Sequence, residues 1–434
     1  MYFCGVIDRF KLNINKKFKE FRIQKLLLAI SGGLDSRVLL HLLSQCKLSF
    51  GVAHCNFGLR AKESDSDAKF VEEICTKNQI PFEIKKFETK AYSQKHKIST
   101  QMAARELRYS WFEELLEIKD YDKIVTAHHL DDQLETFMIN TGRGSGLSGL
   151  TGIPENTSRV ARPMLPFTRK EILEYAQAEN LEWREDASNS SDVYLRNALR
   201  NQVISKWKTY APHLMSNFED TLSYIKQSQY ALDFIVNQWK EQHFIHKGAH
   251  IHIDLKDFKK LTPVEYYLNA LFSPYGFHTR DLKDLLNAQS GKYLKSSSHR
   301  LLVNRGEWIL EENSFTQISE VLWDIKKPLL QPIKLHVDST FENNNSCVSL
   351  DKSRLIYPLK LRKFEEGDYF YPTGMQGKKK LSKYFKDEKY SQIDKENQWL
   401  LCSGHTIVWV INRRADRRFT IEPTNSNCLI LKTK

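Results

Sequence analysis

A short segment near the N-terminus has the composition of a phosphate-binding loop. It consists of Ser31, Gly32, Gly33, Leu34, Asp35 and Ser36. Glycine lets the backbone turn tightly against phosphate oxygens, and a helix that begins there adds the positive end of its dipole. The serines can donate further hydrogen bonds, and Asp35 can hold Mg²⁺. We interpret the segment as a phosphate loop rather than an ordinary strand–helix turn. It lacks the Lys-Ser/Thr ending of a Walker A sequence, which disfavours a P-loop kinase or GTPase.

A second polar cluster, HHLDDQLE at residues 128–135, follows the β-rich run 123–127. The carboxyl ends of strands form the edge at which doubly wound sheets bind ligands. On a helix that starts there, Asp132 and Glu135 lie on one face, and His128 can reach the same cleft. Two carboxylates that face phosphates require a cation, either a metal ion or an ammonium group. The alternative is an ordinary helix start with an N-capping acid. The pairing of this polar cluster with the phosphate loop favours a functional site instead.

Two arginine-containing segments lie between or after these clusters. Residues 101–109 predict a helix that carries Arg105 and Arg108, of which we expect one to contact a phosphate and the other to form a surface salt bridge. The segment 141–150 contains four glycines and Arg143. Its composition suits a substrate gate or an RNA backbone contact, and suits a plain linker nearly as well.

The elements that must position these residues alternate between strand and helix. Short apolar runs predict strands at 26–30, 50–53, 82–87 and 123–127. Helical spacing predicts helices at 35–44, 64–78, 100–118 and 131–140. This alternation is typical of an α/β domain with a doubly wound parallel sheet. We assign residues 1–212 to it.

The remaining chain predicts two further domains. Residues 213–345 are expected to be mostly helical, with a long amphipathic helix at 217–244, shorter helices near 263–272 and 280–288, and a hairpin that joins 300–303 to 308–310. The tract 343–346 is interpreted as a linker. Residues 346–434 predict a small basic α+β domain with a strand at 406–411.

The charge of the chain indicates a polyanionic partner. Lys and Arg outnumber Asp and Glu by 65 to 53, and RNA, DNA and anionic membrane are all compatible with this excess. Residues 351–434 hold 18 basic and 10 acidic residues, so they supply +8 of the total of +12. Arg196 and Arg200 are either an RNA-facing pair or a structural salt-bridge pair. The C-terminal candidates for phosphate contacts are Lys378, Lys379, Lys380, Arg413 and Arg414.

Cysteine and histidine usage limits the alternatives. The seven cysteines contain no C-x-x-C pair, which argues against a zinc ribbon and an iron–sulfur site. Their odd number and scattered positions argue against a disulfide framework. The histidines at 243, 246, 250 and 252 are better explained by a polar surface than by a metal site. The apolar run 26–30 is too short for a signal peptide or a membrane span, and we expect a cytoplasmic protein.

Together these segments resemble the tRNA(Ile)-lysidine synthetase family of N-type (PP-loop) ATP pyrophosphatases. The N-terminal motifs are SGGLDS at 31–36, HCNFGLR at 54–60, AARELRY at 103–109, AHHLDDQLET at 127–136, GRGSGLSGL at 142–150, RPML at 162–165, EDASN at 185–189 and YLRNALR at 194–200. The C-terminal motifs are GDYFYPTGMQGKKKLSKYFKDEK at 367–389 and IVWVINRRADRRF at 407–419. Cys55 is a departure, since many members have a second histidine near this position.

The resemblance implies a ligase that uses ATP and Mg²⁺. A cytidine of an isoleucine tRNA with a CAU anticodon is adenylated with release of pyrophosphate, and the side-chain amine of L-lysine then displaces AMP. Asp35 and Asp132 would hold Mg²⁺, Arg105 would stabilise charge at the α-phosphate, and Asp132 and Glu135 would receive lysine. Ala29 and His54 are assigned with residues 31–36 to ATP binding, and His128 to catalysis. No obligate protein partner is expected, and a homodimer is left open.

Three other functions compete with this one. A tRNA thiolase of the same superfamily that passes sulfur or binds a cluster needs suitably placed cysteines. An amide synthetase needs a glutaminase partner or an N-terminal cysteine nucleophile, and Cys4 lacks that setting. A non-catalytic RNA-binding protein that senses ATP has no need of the acids at 35, 132 and 135.

Overall fold

The computed structural model describes residues 5–59, 62–184, 195–313 and 320–433. The chain divides into two compact units between Asp233 and Phe234. Within the described ranges, no helix is both long enough and apolar enough to cross a bilayer. The family motif at 185–189 lies outside the described residues. The division into three domains stays a prediction.

The first unit alternates strands and helices, as predicted. Its strands are β1 (Leu26–Ile30), β2 (Phe50–Asn56), β3 (Phe82–Lys86), β4 (Lys123–Val125) and β5 (Val160–Ala161). Its helices are α1 (Val6–Lys17), α2 (Leu34–Gln45), α3 (Lys62–Lys77), α4 (Thr89–His96), α5 (Thr100–Ile118), α6 (Leu130–Gly142), α7 (Leu147–Leu150), α8 (Arg169–Ala178), α9 (Leu195–Ala198) and α10 (Ser205–Tyr210). A π-helical stretch, Leu199–Ile204, joins α9 to α10, and α11 (Leu214–His243) leads into the second unit.

The five strands form one parallel sheet in the order β3-β2-β1-β4-β5. The predicted doubly wound α/β fold is confirmed. The central strand β1 is apolar throughout because both faces are covered. Leu26 and Leu28 face the core formed with α1, α2 and α8, whereas Leu27 faces the core that contains Trp111 of α5. The chain order reverses between β1 and β4, which creates a crevice at the carboxyl ends of these two strands.

The second unit contains antiparallel sheets with short helices. Its helices are α12 (Leu255–Phe258), α13 (Val264–Phe272), α14 (Thr279–Leu286), α15 (Leu381–Asp387) and α16 (Gln392–Asn397). Its strands are β6 (Ile245–Lys247), β7 (His250–Asp254), β8 (Tyr293–Lys295), β9 (His299–Asn304), β10 (Glu307–Glu312), β11 (Glu320–Trp323), β12 (Leu335–Asp338), β13 (Cys347–Asp351), β14 (Leu359–Arg362), β15 (Tyr369–Phe370), β16 (Lys379–Lys380), β17 (Leu400–Ser403), β18 (Thr406–Val410) and β19 (Cys428–Thr433).

The middle region combines the predicted helices with a sheet of which only the hairpin was predicted. Strands β6-β7-β10-β9-β8 form an antiparallel sheet around the buried Trp308. The hairpin of β9 and β10 turns at Arg305 and Gly306, which both have positive φ, as a tight hairpin requires. The tract 343–346 is a connection inside the second, C-terminal unit rather than a linker between domains. The strands on either side of it, β12 and β13, both pair with β19.

Gly51 of β2 provides a test of how closely α5 and its following turn pack on the sheet. A Cβ on Gly51 would lie 2.0 Å from the hydroxyl oxygen of Tyr121, a side chain that is buried. We expect Gly51→Ala to lower the free energy of unfolding by about 1–3 kcal/mol, since overpacking forces its neighbours to move. Urea unfolding measures the change. Adding Tyr121→Phe should restore part of the loss, and equal stability of the single and double variants would contradict this packing.

Candidate active site

The phosphate loop is a closed turn between β1 and α2. Gly32 has a φ of +88°, which is strained for other residues. Ser36 Oγ donates to the carbonyl oxygen of Gly33 at 3.0 Å and accepts from the N–H of Ser31 at 3.2 Å. Gly33 is the N-cap of α2 and no side chain caps this helix end. The free N–H groups of the first turn are therefore available to an anionic ligand.

Asp35 and Asp132 meet at a buried histidine that the sequence pattern did not single out. Nε2 of His129 lies 3.6 Å from a carboxylate oxygen of each aspartate. Burial lowers the pKa of His129, but the charges of Asp132 and Asp35 more than offset this effect and leave the pKa raised. The imidazolium form is thereby favoured. The spacing of three residues between His129 and Asp132 could have indicated their contact. The Asp132 carboxylate accepts from the N–H of His129 at 3.0 Å, as in a capping box.

The carboxylate of Asp35 fits the requirements of a cation ligand. Burial raises its pKa, but the contacts with His129 outweigh burial and leave the pKa lowered, so the group is ionised. Among the described residues, its Oδ1 is buried without a hydrogen-bond partner. A charged carboxylate oxygen with no partner, placed in the first turn of α2, is suited to a metal ion that also binds phosphate oxygens.

Glu135 is buried and paired with two arginines from the helix that contains the π-helical stretch. Its Oε1 accepts from Nε of Arg200 at 2.6 Å, and its Oε2 lies 3.3 Å from Nε of Arg196. Arg200 also reaches Asp132, at 3.4 Å. Burial raises the pKa of Glu135, against the hydrogen bond from Arg200. The salt-bridge alternative for Arg196 and Arg200 is what the structure contains, and their contact with RNA stays a prediction.

Asp131, which directly precedes Asp132, has a structural role. One carboxylate oxygen accepts from the backbone N–H of Arg169 at 2.8 Å, and the other pairs with Lys208 of α10. Hydrogen bonds and charge from Lys208 more than offset burial and lower the pKa of Asp131. Asp131 therefore ties α6 to α8 and α10 and orients the helix that carries Asp132 and Glu135.

The other predicted site residues differ in how close they come to this cluster. His54 follows Ala53 on β2, and its Nδ1 lies 3.0 Å from the carbonyl oxygen of Ile30 on β1, next to Ala29. His128 contacts the hydroxyl of Thr126 at 2.8 Å, and burial lowers the pKa of His128 to about 4, which favours the neutral ring.

The remaining arginine candidates are exposed. Arg105 lies on α5 with its guanidinium 5.0 Å from the ring centroid of Tyr109. Arg143 follows the last residue of α6. The glycine-rich segment beyond it is folded into α7, and the side chain of Asn140 donates to the carbonyl oxygen of Gly149 at 2.7 Å. The phosphate contact of Arg105 and the RNA contact of Arg143 stay predictions.

The five C-terminal candidates have different environments. Lys378 and Lys380 are exposed. Lys379 is partly buried and forms an ion pair with Asp387 at 2.9 Å. Arg413 lies over the ring of Tyr390, and Arg414 donates to the carbonyl oxygen of Thr373 at 3.1 Å.

The histidines at 250 and 252 of the middle sheet lie 3.2 and 3.0 Å from carboxylates of β10.

Both units resemble known proteins. Residues 7–207 match the family model of the PP-loop domain, and residues 246–313 match that of the TilS substrate binding domain. A tRNA(Ile)-lysidine synthase of Parabacteroides distasonis is 34% identical over 98% of this chain and 99% of its own length. The protein of the same name from Bacteroides thetaiotaomicron is also 34% identical, over 94% of this chain and 95% of its own length.

The ion pairs of Glu135 predict a large difference between two neighbouring arginines. Arg200→Leu removes the hydrogen-bonded partner of a buried carboxylate and should cost on the order of 3 kcal/mol of unfolding free energy. Arg196→Leu removes a more exposed partner, with 44% of its side chain accessible, and should cost less than about 1 kcal/mol. Urea unfolding of the two variants tests this order. Adding Glu135→Leu should restore stability to Arg200→Leu, and equal losses for the two arginines would contradict the assignment.

Proposed function

Because the chain belongs to the tRNA(Ile)-lysidine synthase family, we propose that it joins L-lysine to C2 of the wobble cytidine, position 34, of isoleucine tRNA with a CAU anticodon. The C2 oxygen attacks the α-phosphorus of ATP and pyrophosphate leaves. The side-chain amine of lysine then attacks C2, and AMP leaves with that oxygen. The observation that carries this proposal is the meeting of Asp35, Asp132 and Glu135 beside the open end of α2, in a chain related to these enzymes over 98% of its length.

The first step rests on the phosphate loop. The N–H groups at the start of α2, with Ser31 and Ser36, hold the departing pyrophosphate. We assign Mg²⁺ to Asp35 and Asp132, and when bound it offsets the negative charge of the phosphates. His129 keeps the two aspartates at the same crevice. His54 lies on β2, the strand next to β1. Arg105 is assigned to the charge that develops at the α-phosphate.

The second step rests on Asp132 and Glu135. Their carboxylates stabilise a cation in this structure, namely the guanidinium of Arg200, and the same charge pattern suits the ammonium group of lysine. An amine must lose a proton before it attacks a carbon atom. The buried Glu135, whose pKa is raised, is the better of the two acids to accept that proton. His128 is assigned to catalysis as a neutral ring at the same edge.

The remaining parts of the proposal concern the RNA and the cell. We assign phosphate contacts to Arg143, Lys378, Lys380, Arg413 and Arg414. Such a substrate and cofactor suit a cytoplasmic enzyme that works without an obligate protein partner. A thiolase that uses cysteine chemistry is disfavoured, because burial raises the pKa of Cys55, on the strand that also carries His54, to about 12.

Mass spectrometry of the nucleoside at position 34 tests the whole reaction. The full chain is incubated with the isoleucine tRNA, ATP and isotopically labelled L-lysine. We expect a mass gain of one labelled lysine, with loss of water, on cytidine alone, together with equal amounts of AMP and pyrophosphate. Formation of ADP and orthophosphate, or an unmodified cytidine, would contradict the proposed function. Omission of lysine should leave pyrophosphate release but no gain of the mass of lysine on cytidine.

Glu135→Gln should separate the two steps. The substitution keeps the size of the side chain and removes its charge, so lysine transfer should fall by at least about a hundredfold, as expected when a positioned acid–base group is lost. Adenylation should stay within about threefold of the unsubstituted enzyme. Pyrophosphate release without lysine measures the first step, and labelled lysine in tRNA measures the second. Glu114→Gln, an exposed acid of α5, is the matched control. Equal losses in both steps would exclude this role.

A further inference from the structure

Two tyrosines and three cations of the C-terminal unit form one surface. We call it the tyrosine–cation surface and define it as Tyr369, Tyr371, Lys378, Arg417 and Arg418. Tyr369 belongs to β15, which pairs with β16 in a short ribbon, and Tyr371 is the first residue after β15. The two rings meet edge to face with centroids 6.4 Å apart. Tyr369 is 40% exposed and Tyr371 is partly exposed, so the surface presents aromatic rings to solvent.

Each ring carries a cation of the same surface. Nζ of Lys378 lies 3.5 Å from the ring centroid of Tyr369, and the guanidinium carbon of Arg418 lies 4.2 Å from that of Tyr371. Arg417 lies 5.9 Å from the ring of Tyr371. Cation–π contacts at exposed sites stabilise such an arrangement only slightly. Lys378 and Arg417 can therefore exchange an aromatic face for another ligand at small cost.

A buried carboxylate fixes the position of Arg418. Asp416 is fully buried and accepts from Nε and Nη2 of Arg418 at 3.0 and 2.8 Å. Oδ2 of Asp416 also accepts from the backbone N–H of Tyr371 at 2.9 Å, so one acid fixes both the guanidinium and the backbone that carries the ring. In the part of the chain that the structure describes, Lys378 and Arg417 have no carboxylate partner. The surface keeps a net positive charge.

Two residues that share this sequence region do not belong to the surface. Tyr384 and Phe385 of α15 are each 1% exposed and pack in the core with Phe370. Their rings have no free face for a ligand. The aromatic residues that the sequence placed among the C-terminal cations therefore separate into a buried pair and an exposed pair.

We propose that the tyrosine–cation surface binds unpaired nucleotides of the RNA substrate. Bases of single strands stack on exposed aromatic rings and on guanidinium planes, while nearby cations contact the phosphates. Bases in a duplex are already stacked, so cations alone would serve a duplex and the exposed rings would have no partner. An acidic peptide would use the cations but not the ring faces. The inference rests on the proposed function for the identity of the RNA and adds where its unpaired part binds.

Binding of two labelled RNAs to the full chain tests the proposal. The probes are an unpaired eight-nucleotide RNA and a blunt twelve-base-pair duplex, followed by fluorescence anisotropy at fixed salt. Tyr369→Leu with Tyr371→Leu should weaken binding of the unpaired RNA by at least about tenfold, because one stacked base contributes roughly five- to 150-fold. Binding of the duplex should change by less than twofold, since every cation remains.

Two controls separate the rings from the fold. Tyr369→Phe with Tyr371→Phe keeps both rings and should bind the unpaired RNA within twofold of the unsubstituted protein. Tyr357→Leu removes another exposed tyrosine of the same unit and should have no effect. Unchanged binding by the leucine variant, a loss by the phenylalanine variant, or equal losses for both RNAs would overturn the proposal. So would an acidic decapeptide that competes as well as the unpaired RNA.

Failure of this inference can be distinguished from failure of the proposed function. Labelled-lysine transfer by the unsubstituted enzyme reports on the reaction, whatever the leucine variant does. An active enzyme whose leucine variant still binds unpaired RNA contradicts only the tyrosine–cation surface. A protein that binds unpaired RNA through these rings but transfers no lysine contradicts only the reaction.

Discussion

The structure of the N-terminal unit depends on the compensation of buried and partly buried negative charge at one sheet edge. Four carboxylates, those of Asp35, Asp131, Asp132 and Glu135, lie at the carboxyl ends of β1 and β4. Isolated charges of this kind are costly to bury, so each must have a cation or a hydrogen-bond donor. His129, Lys208 and Arg200 supply these partners. The cluster is therefore a set of mutually dependent charges, and a ligand that enters it must preserve the balance.

The apolar architecture of the sheet makes this charge cluster possible. β1 and β4 are neighbours in register, with Leu28 opposite Val125. Each strand is followed by a helix start, so the N-termini of α2 and α6 meet at the same crevice. Both helix dipoles stabilise negative charge there. The packing on the two faces of β1 holds these helix ends in place, and the acids need no loop of their own to be positioned.

The sequence predicted the local elements well because their signals are local. The apolar run 26–30 is the strand β1, and the helix predicted at 100–118 is α5 with the same limits. The partners in the site could not be predicted in the same way. Arg200 is 65 residues from Glu135, and nothing in its neighbourhood indicates which acid it will meet. The middle sheet was also missed apart from its hairpin, since its edge strands β6 and β8 have only three residues each and carry too little pattern.

The pairing of Arg200 with the two acids bears on the choice of amine. When no substrate is bound, Arg200 supplies the counter-charge for the buried carboxylate of Glu135 and so offsets the free-energy cost of burying it. An incoming ammonium group can replace the guanidinium with the charge balance kept, whereas a neutral amine or an alcohol would leave one of the acids uncompensated. The resident arginine shows that this pair of acids accepts a cation, which is the electrostatic requirement of the proposed lysine step.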